Sequence, residues 1–214
     1  MASPPAPDIT VVHAPGARSV QIIWLVEELG LQYKIVQVEL TKRKPAEHRA
    51  LSPLGLVPAF KDHDTVLSES GAILQYLLQC FGNGRLQPPI GTQEASLLLQ
   101  WCWFAEASLT NLLSDIALHT KLLPAKMRVA EVVPFLKART AQRLAYVEGE
   151  LQGKDHILGQ DFTAADIMLG YTITQAKHIG LLSEPQHPNL VAYVERLHRR
   201  PACQKAFAGV VSRL

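Results

Sequence analysis

Glu69 and Ser70 stand at the head of an apolar-periodic run, Ser70 to Phe81, and are of the types that can receive a charged ligand at a helix start. The free N–H groups and positive dipole end of a helix favour an anion. Ser70 can give a hydroxyl and an amide to a carboxylate, and Glu69 can accept from an ammonium; a γ-glutamyl end carries both groups. Plain N-capping by the same two residues is the alternative. Upstream, Val57-Pro58 opens a strand candidate, where a proline cannot donate to the ladder and needs an edge position or a cis bond. A cis bond in a βαβ-ββα domain would turn the Val57 backbone outward, free to pair with an extended peptide as an added strand, while an ordinary turn proline is the other reading. The loop 41–44 offers Lys42, Arg43 and Lys44, which can meet a second carboxylate of a small dianionic ligand or form a solvated surface.

These residues need elements to position them. Ile9 to His13 and Tyr33 to Val38 read as strands, and Ile22, Leu25, Val26 and Leu29 recur at helical spacing between them, with Gly30 placed to stop the helix over Ser19 to Leu29. A strand, helix, strand unit of this length predicts parallel neighbours. Then come an irregular stretch over 41–55, strands over 58–61 and 65–67, and the helix Ser70 to Phe81. The composition of 82–92, GNGRLQPPIGT, is that of a linker. Beyond it the periodic stretches are helical: 93–119, 132–151, 164–178, 189–199 and 201–211. The expected domains are thus 1–82, a linker 83–92, and an all-helical domain 93–214.

Two features of the helical part stand out. Thr163 and Asp166 form T-x-x-D before an apolar run, a capping box. Trp101, Phe104, Ala105, Ser108 and Leu112 share one helical face, as core or as the lining of an apolar pocket.

Composition narrows the partners. An apolar content of 48% can supply a core for each domain, and 21 Lys and Arg against 19 Asp and Glu give a charge of +2, too small to gather nucleic acid or anionic lipid. A small-molecule partner is expected. Cys80, Cys102 and Cys203 fit neither a redox pair nor a metal-ligand pattern and read as small buried hydrophobes. The start has no basic and apolar leader pattern, and no stretch is long and apolar enough to span a membrane; a soluble, cytoplasmic protein is expected.

Taken in order, IIWLVEELGLQYKIVQVEL (22–40), SPLGLVPAF (52–60), LSESGAILQYLLQCFG (67–82) and LGQDFTAADIML (158–169) resemble the glutathione transferases, from Ile9 to about Leu197. The linker GNGRLQPP and the WFAEASL stretch (103–109) look most like the fungal and bacterial branch of that family. The resemblance implies an α+β, thioredoxin-like βαβ-ββα domain followed by an all-helical bundle, a cis-proline at Pro58, glutathione as first ligand and a homodimer. It implies that the Val57 backbone pairs with the cysteinyl unit, that Glu69 and Ser70 hold the γ-glutamyl end, and that Lys42 or Lys44 reaches the glycyl carboxylate. It also gives the helical domain the electrophile pocket, with Trp101, Phe104 and Ser108 as candidates.

The pattern breaks at one place. Related sequences commonly carry a Ser, Cys or Tyr where this chain has Ala17, within Pro15-Gly16-Ala17-Arg18-Ser19. A methyl group cannot donate a hydrogen bond, so stabilising the thiolate would fall to Ser19, to the Arg18 charge, or to the helix N-terminus. The expected activity is addition of glutathione to a hydrophobic electrophile. Glutathione-dependent cis-trans isomerisation of a conjugated alkene, done by zeta-type relatives, would use the same contacts. A non-catalytic binding module is the third reading, which Ala17 favours and the Val57-Pro58 and Glu69-Ser70 pairs disfavour.

Overall fold

The computed structural model describes residues 6–39 and 46–208, and the chain divides into two units: residues up to 85 with those from 200 onward, and residues 86–199. In the first unit, β1 (Ile9–His13), β2 (Tyr33–Gln37), β3 (Ala59–Asp62) and β4 (Thr65–Ser68) form one sheet in the order β2-β1-β3-β4. β1 and β2 run parallel, with Ile9 opposite Tyr33 and His13 opposite Gln37; β3 is antiparallel to both β1 and β4. The parallel pair requires a crossover, supplied by α1 (Ser19–Leu29). α1 stops where Gly30 takes φ 69°, a left-handed turn that a residue without Cβ adopts freely.

The helix α2 (Ala46–Leu51) replaces part of the irregular stretch expected over 41–55. At six residues it is too short for hydrophobic periodicity to reveal it. With α3 (Ser70–Phe81) the unit is the expected thioredoxin-like βαβ-ββα domain.

Among the helices of the second unit are α4 (Gln93–Trp103), α5 (Asn111–Ala117), α6 (Val132–Glu150), α7 (Ala164–His178) and α8 (Pro188–His198). The single helix expected over 93–119 is instead a run interrupted by π-helical turns at Phe104–Thr110 and Leu118–Leu122. Such wide turns leave no mark in hydrophobic spacing. The capping box is present. Asp166 is fully buried: Oδ2 accepts from the Thr163 N–H at 2.8 Å and its hydroxyl at 3.0 Å, and Oδ1 accepts from the Ile157 N–H and the Tyr193 hydroxyl, both at 2.8 Å.

α9 (Pro201–Phe207) corrects the expected extent of the helical domain, 93–214, since it belongs to the first unit, while residues 86–92 group with the helices. The cause is packing. Cys203, Ala206 and Phe207 bury their apolar face, and α9 lies against α1, whose residues Ser19 to Val26 are all buried. Phe207 meets Trp24 edge-to-face at 6.2 Å, and Arg200 places Nε and Nη2 on the two Glu28 oxygens at 2.6 and 2.7 Å. Cys102 and Cys203 are buried, and burial pushes both thiols up to about 12. Cys80 departs from expectation in being exposed, on the solvent side of the last turn of α3. Among the described residues no helix is long and apolar enough to cross a membrane.

Candidate functional site

The approach to β3 is held by two side chains. His48, in α2, sets Nε2 at 2.9 Å from the Leu56 carbonyl, and the Ser52 hydroxyl oxygen accepts from the Leu56 N–H at 3.0 Å. The loop between them is tied internally by the Ser52 N–H on the His48 carbonyl at 2.7 Å and the Gly55 N–H on the Ser52 carbonyl at 2.8 Å. It delivers Val57 to a cis bond with Pro58. The Val57 N–H makes no hydrogen bond to another described residue.

Across the same cleft stands the start of α3. Glu69 adopts φ 73°, ψ 113°, a conformation that costs a non-glycine residue on the order of 1–3 kcal/mol. Its side chain makes no capping hydrogen bond, which removes the N-capping alternative for Glu69 and leaves its carboxylate exposed. Ser70 is the first residue of the helix, only 4% exposed, and its hydroxyl makes no hydrogen bond to another described residue. Arg18, Val57, Pro58, Glu69 and Ser70 line one cleft of about 80 Å³. It offers a cationic group, an anionic group, a helix N-terminus and an open backbone edge: complementary features for a short peptide bearing both charges.

The three residues proposed to act on the thiol separate. Arg18 lines the cleft. Ala17 is half-buried and packs, with Val57, on the apolar cluster of Val12, Ala14, Val38 and Ala59. Ser19 is a correction: it is fully buried, its oxygen accepts from the Ala14 N–H at 3.2 Å, and it lies 3.0 Å from His13 Nδ1 and 3.3 Å from the Ala14 carbonyl. Its hydroxyl braces the β1–α1 loop from inside and does not face the cleft. His13 and His48 had drawn no attention in the sequence. Burial holds the His13 imidazole below its ordinary 6.5, so it is neutral near pH 7. Lys42, Arg43 and Lys44 lie outside the described residues.

In the helical unit, Trp101 corrects the idea that it contacts a substrate. It is 3% exposed and stacks on Tyr146 at 5.4 Å with 20° between planes, so it is core. Half-buried Phe104 meets the same two rings edge-on at 5.4 and 5.6 Å. Ser108 is also half-buried, and its carbonyl accepts from Arg143 Nε at 3.1 Å. The π-helical turn places both residues.

Comparison with known proteins gives this arrangement its class. Residues 7–79 match the family model described as Glutathione S-transferase, N-terminal domain, and residues 110–201 match Glutathione S-transferase, C-terminal domain. The chain belongs to the glutathione S-transferase family. It is 28% identical over 209 residues to Glutathione S-transferase 3 of Schizosaccharomyces pombe, covering 92% of this chain and 86% of that protein. Among solved structures, a glutathione S-transferase from Actinobacillus pleuropneumoniae superposes with a TM-score of 0.80 at 27% identity, covering 96% of each chain. A theta class glutathione S-transferase from Xanthomonas axonopodis pv. citri, solved with glutathione bound, gives 0.78 at 25% identity over 94% of this chain and 97% of that one.

Proposed function

We propose that this cleft binds glutathione and that the protein activates its thiol and adds it to a hydrophobic electrophile. The observation that carries the reading is the strained Glu69, uncapped and exposed, beside Ser70 at the α3 N-terminus and across one cleft from the open Val57 edge. Val57 pairs with the cysteinyl unit, Glu69 accepts from the γ-glutamyl ammonium, and Ser70 with the α3 amides takes its carboxylate. Lys42 or Lys44 reaches the glycyl carboxylate. Arg18 and the N-terminus of α1 favour the thiolate, since a thiol of pKa about 8.5 needs positive potential to ionise near neutrality. The thiol proton passes to solvent, the thiolate forms the S–C bond, and the electron pair displaced from the attacked carbon departs with a leaving group or, in an addition, takes up a proton from solvent; Phe104 and Ser108 contribute to the electrophile pocket. The protein acts as a cytoplasmic homodimer in this reading.

Calorimetry tests it. Glu69→Ala and Ser70→Ala should each weaken glutathione binding by about 1–3 kcal/mol. Parent-like affinity in both would place the site elsewhere, and no binding by the parent at millimolar glutathione would leave a non-catalytic module. Consumption of one glutathione per product marks transfer; many turnovers on trace glutathione mark isomerisation.

A further inference from the structure

We infer that His48 is a positioning residue that aims the Val57 N–H at the ligand, acting through the Leu56 carbonyl; this rests on the glutathione reading above. The Leu56 carbonyl and the Val57 N–H are the two ends of a single peptide group. That group is planar and trans, because the cis bond among the described residues is the next one along, Val57–Pro58. Rotation of the plane that aims the N–H therefore turns the carbonyl by the same angle, and a hydrogen bond fixing one end fixes the other. His48 Nε2 makes that bond at 2.9 Å. Ser52 holds the preceding plane by accepting from the Leu56 N–H at 3.0 Å, so both peptide groups flanking Leu56 are pinned. Apolar packing adds little at Leu54 and Leu56 themselves, which are 82% and 57% exposed.

The state of the imidazole separates aiming from mere filling. A carbonyl only accepts, so Nε2 carries the proton, and Nδ1 is then buried with no hydrogen-bond partner among the described residues. His48 is 0% exposed. A buried polar atom left unpaired is destabilising, so for packing alone an apolar side chain of similar size would serve better. What the imidazole adds is its N–H on Leu56. The same bond draws electron density towards the carbonyl oxygen and makes the Val57 N–H a stronger donor, since linked hydrogen bonds polarise one another.

The test compares the parent chain with His48→Leu, which fills the space without a donor, and His48→Gln, whose side-chain amide reaches the Leu56 carbonyl. Amide hydrogen exchange at Leu56, whose N–H rests on Ser52, is measured in the free protein as a report on the pinned peptide pair, and steady-state kinetics with glutathione and 1-chloro-2,4-dinitrobenzene give kcat and both KM values. In His48→Leu, Leu56 exchange should quicken and KM for glutathione rise about ten-fold, with kcat and the KM of the electrophile within about two-fold of the parent. His48→Gln should return most of the lost affinity. A purely structural histidine would instead lower Tm and kcat and leave KM for glutathione in place, which would overturn the proposal. If His48→Leu fails to fold, His48→Asn, whose amide nitrogen falls short of Leu56, takes its part: a raised KM in Asn but not Gln supports aiming, and equal KM values refute it. Failure of the parent to saturate with glutathione would bring down the binding reading itself, and this proposal with it; a saturable parent with an indifferent His48→Leu brings down this proposal alone.

Discussion

Ala17→Ser adds a hydroxyl at the position where the family pattern has one. The backbone there is pinned, with the Ala17 N–H on the Ala14 carbonyl at 3.1 Å and the Ala17 carbonyl taking the Val20 N–H at 2.9 Å. The new oxygen is therefore confined to three staggered positions on a residue that shares an apolar cluster with Val57. A hydrogen bond to a charged group is worth about 1.5–3 kcal/mol, and one pKa unit corresponds to about 1.36 kcal/mol. If the hydroxyl meets the sulfur, the pKa of bound glutathione should fall by about one to two units. Set against the apolar cluster, the hydroxyl should cost about 1 kcal/mol of stability. The assay is thiolate absorbance of bound glutathione against pH, with Ser19→Ala as control. Because the Ser19 hydroxyl is turned inward on Ala14 and His13, its loss should leave the titration curve in place while lowering stability by about 1–2 kcal/mol. An unmoved curve for Ala17→Ser together with a shifted one for Ser19→Ala would refute this assignment of the two positions.

Removing Asp166 leaves the N–H groups of Ile157 and Thr163 and the hydroxyl of Tyr193 buried without an acceptor. Asp166→Ala should therefore cost about 3–5 kcal/mol in denaturant titration, and Asp166→Asn, which keeps one accepting oxygen, about half that; a loss under about 1 kcal/mol for Asp166→Ala would show that the network contributes little. His13 gives a pH dependence. Its folded pKa lies below 6.5, so the unfolded chain takes up a proton first, and the contribution of His13 to stability is full above pH 6.5 and lost as pH falls towards the folded value. His178 and His198 are shifted the same way by burial. The slope of unfolding free energy below pH 6.5 should thus shrink in His13→Asn without vanishing, and a slope equal to the parent's would contradict a neutral buried imidazole.

How much of this was legible in the sequence depends on how far each contact reaches along the chain. The helix Ser19–Leu29 with its glycine stop, the parallel first strands and the capping box are decided by residues a few positions apart, and each could be read. Glu69 and Ser70 were legible as a pair, but not the φ 73° of Glu69 or its uncapped side chain, because Glu69 is the single residue between β4 and α3 and its residue type does not announce a positive φ. Ser19 misled because it sits beside the site in sequence. Whether the first residue of a helix faces ligand or interior depends on what covers the helix, and α1 is covered nearly all round. The cover includes α9, whose docking joins residues 172 positions apart through Glu28 and Arg200, a pairing that no local pattern announces. His48 was invisible for a similar reason: its function lies in the peptide it bonds, eight residues on, across a loop whose course the residue types do not specify.

The seating of α9 on α1 also bears on the order in which the chain can fold as it is made. Trp24 is fully buried beneath Phe207, and Glu28, only 10% exposed at its side chain, takes its guanidinium partner from Arg200. Until residue 200 and its successors have emerged from the ribosome, the thioredoxin-like unit has an apolar seam open to water and a nearly buried carboxylate without its ion-pair partner. Residues 86–199, by contrast, are contiguous and hold their capping box and Tyr193 network entirely within themselves. The part of the protein written first is therefore the last that can close, and a chain cut after residue 85 would keep every residue lining the proposed glutathione cleft while stripping the back of the helix that stands behind it.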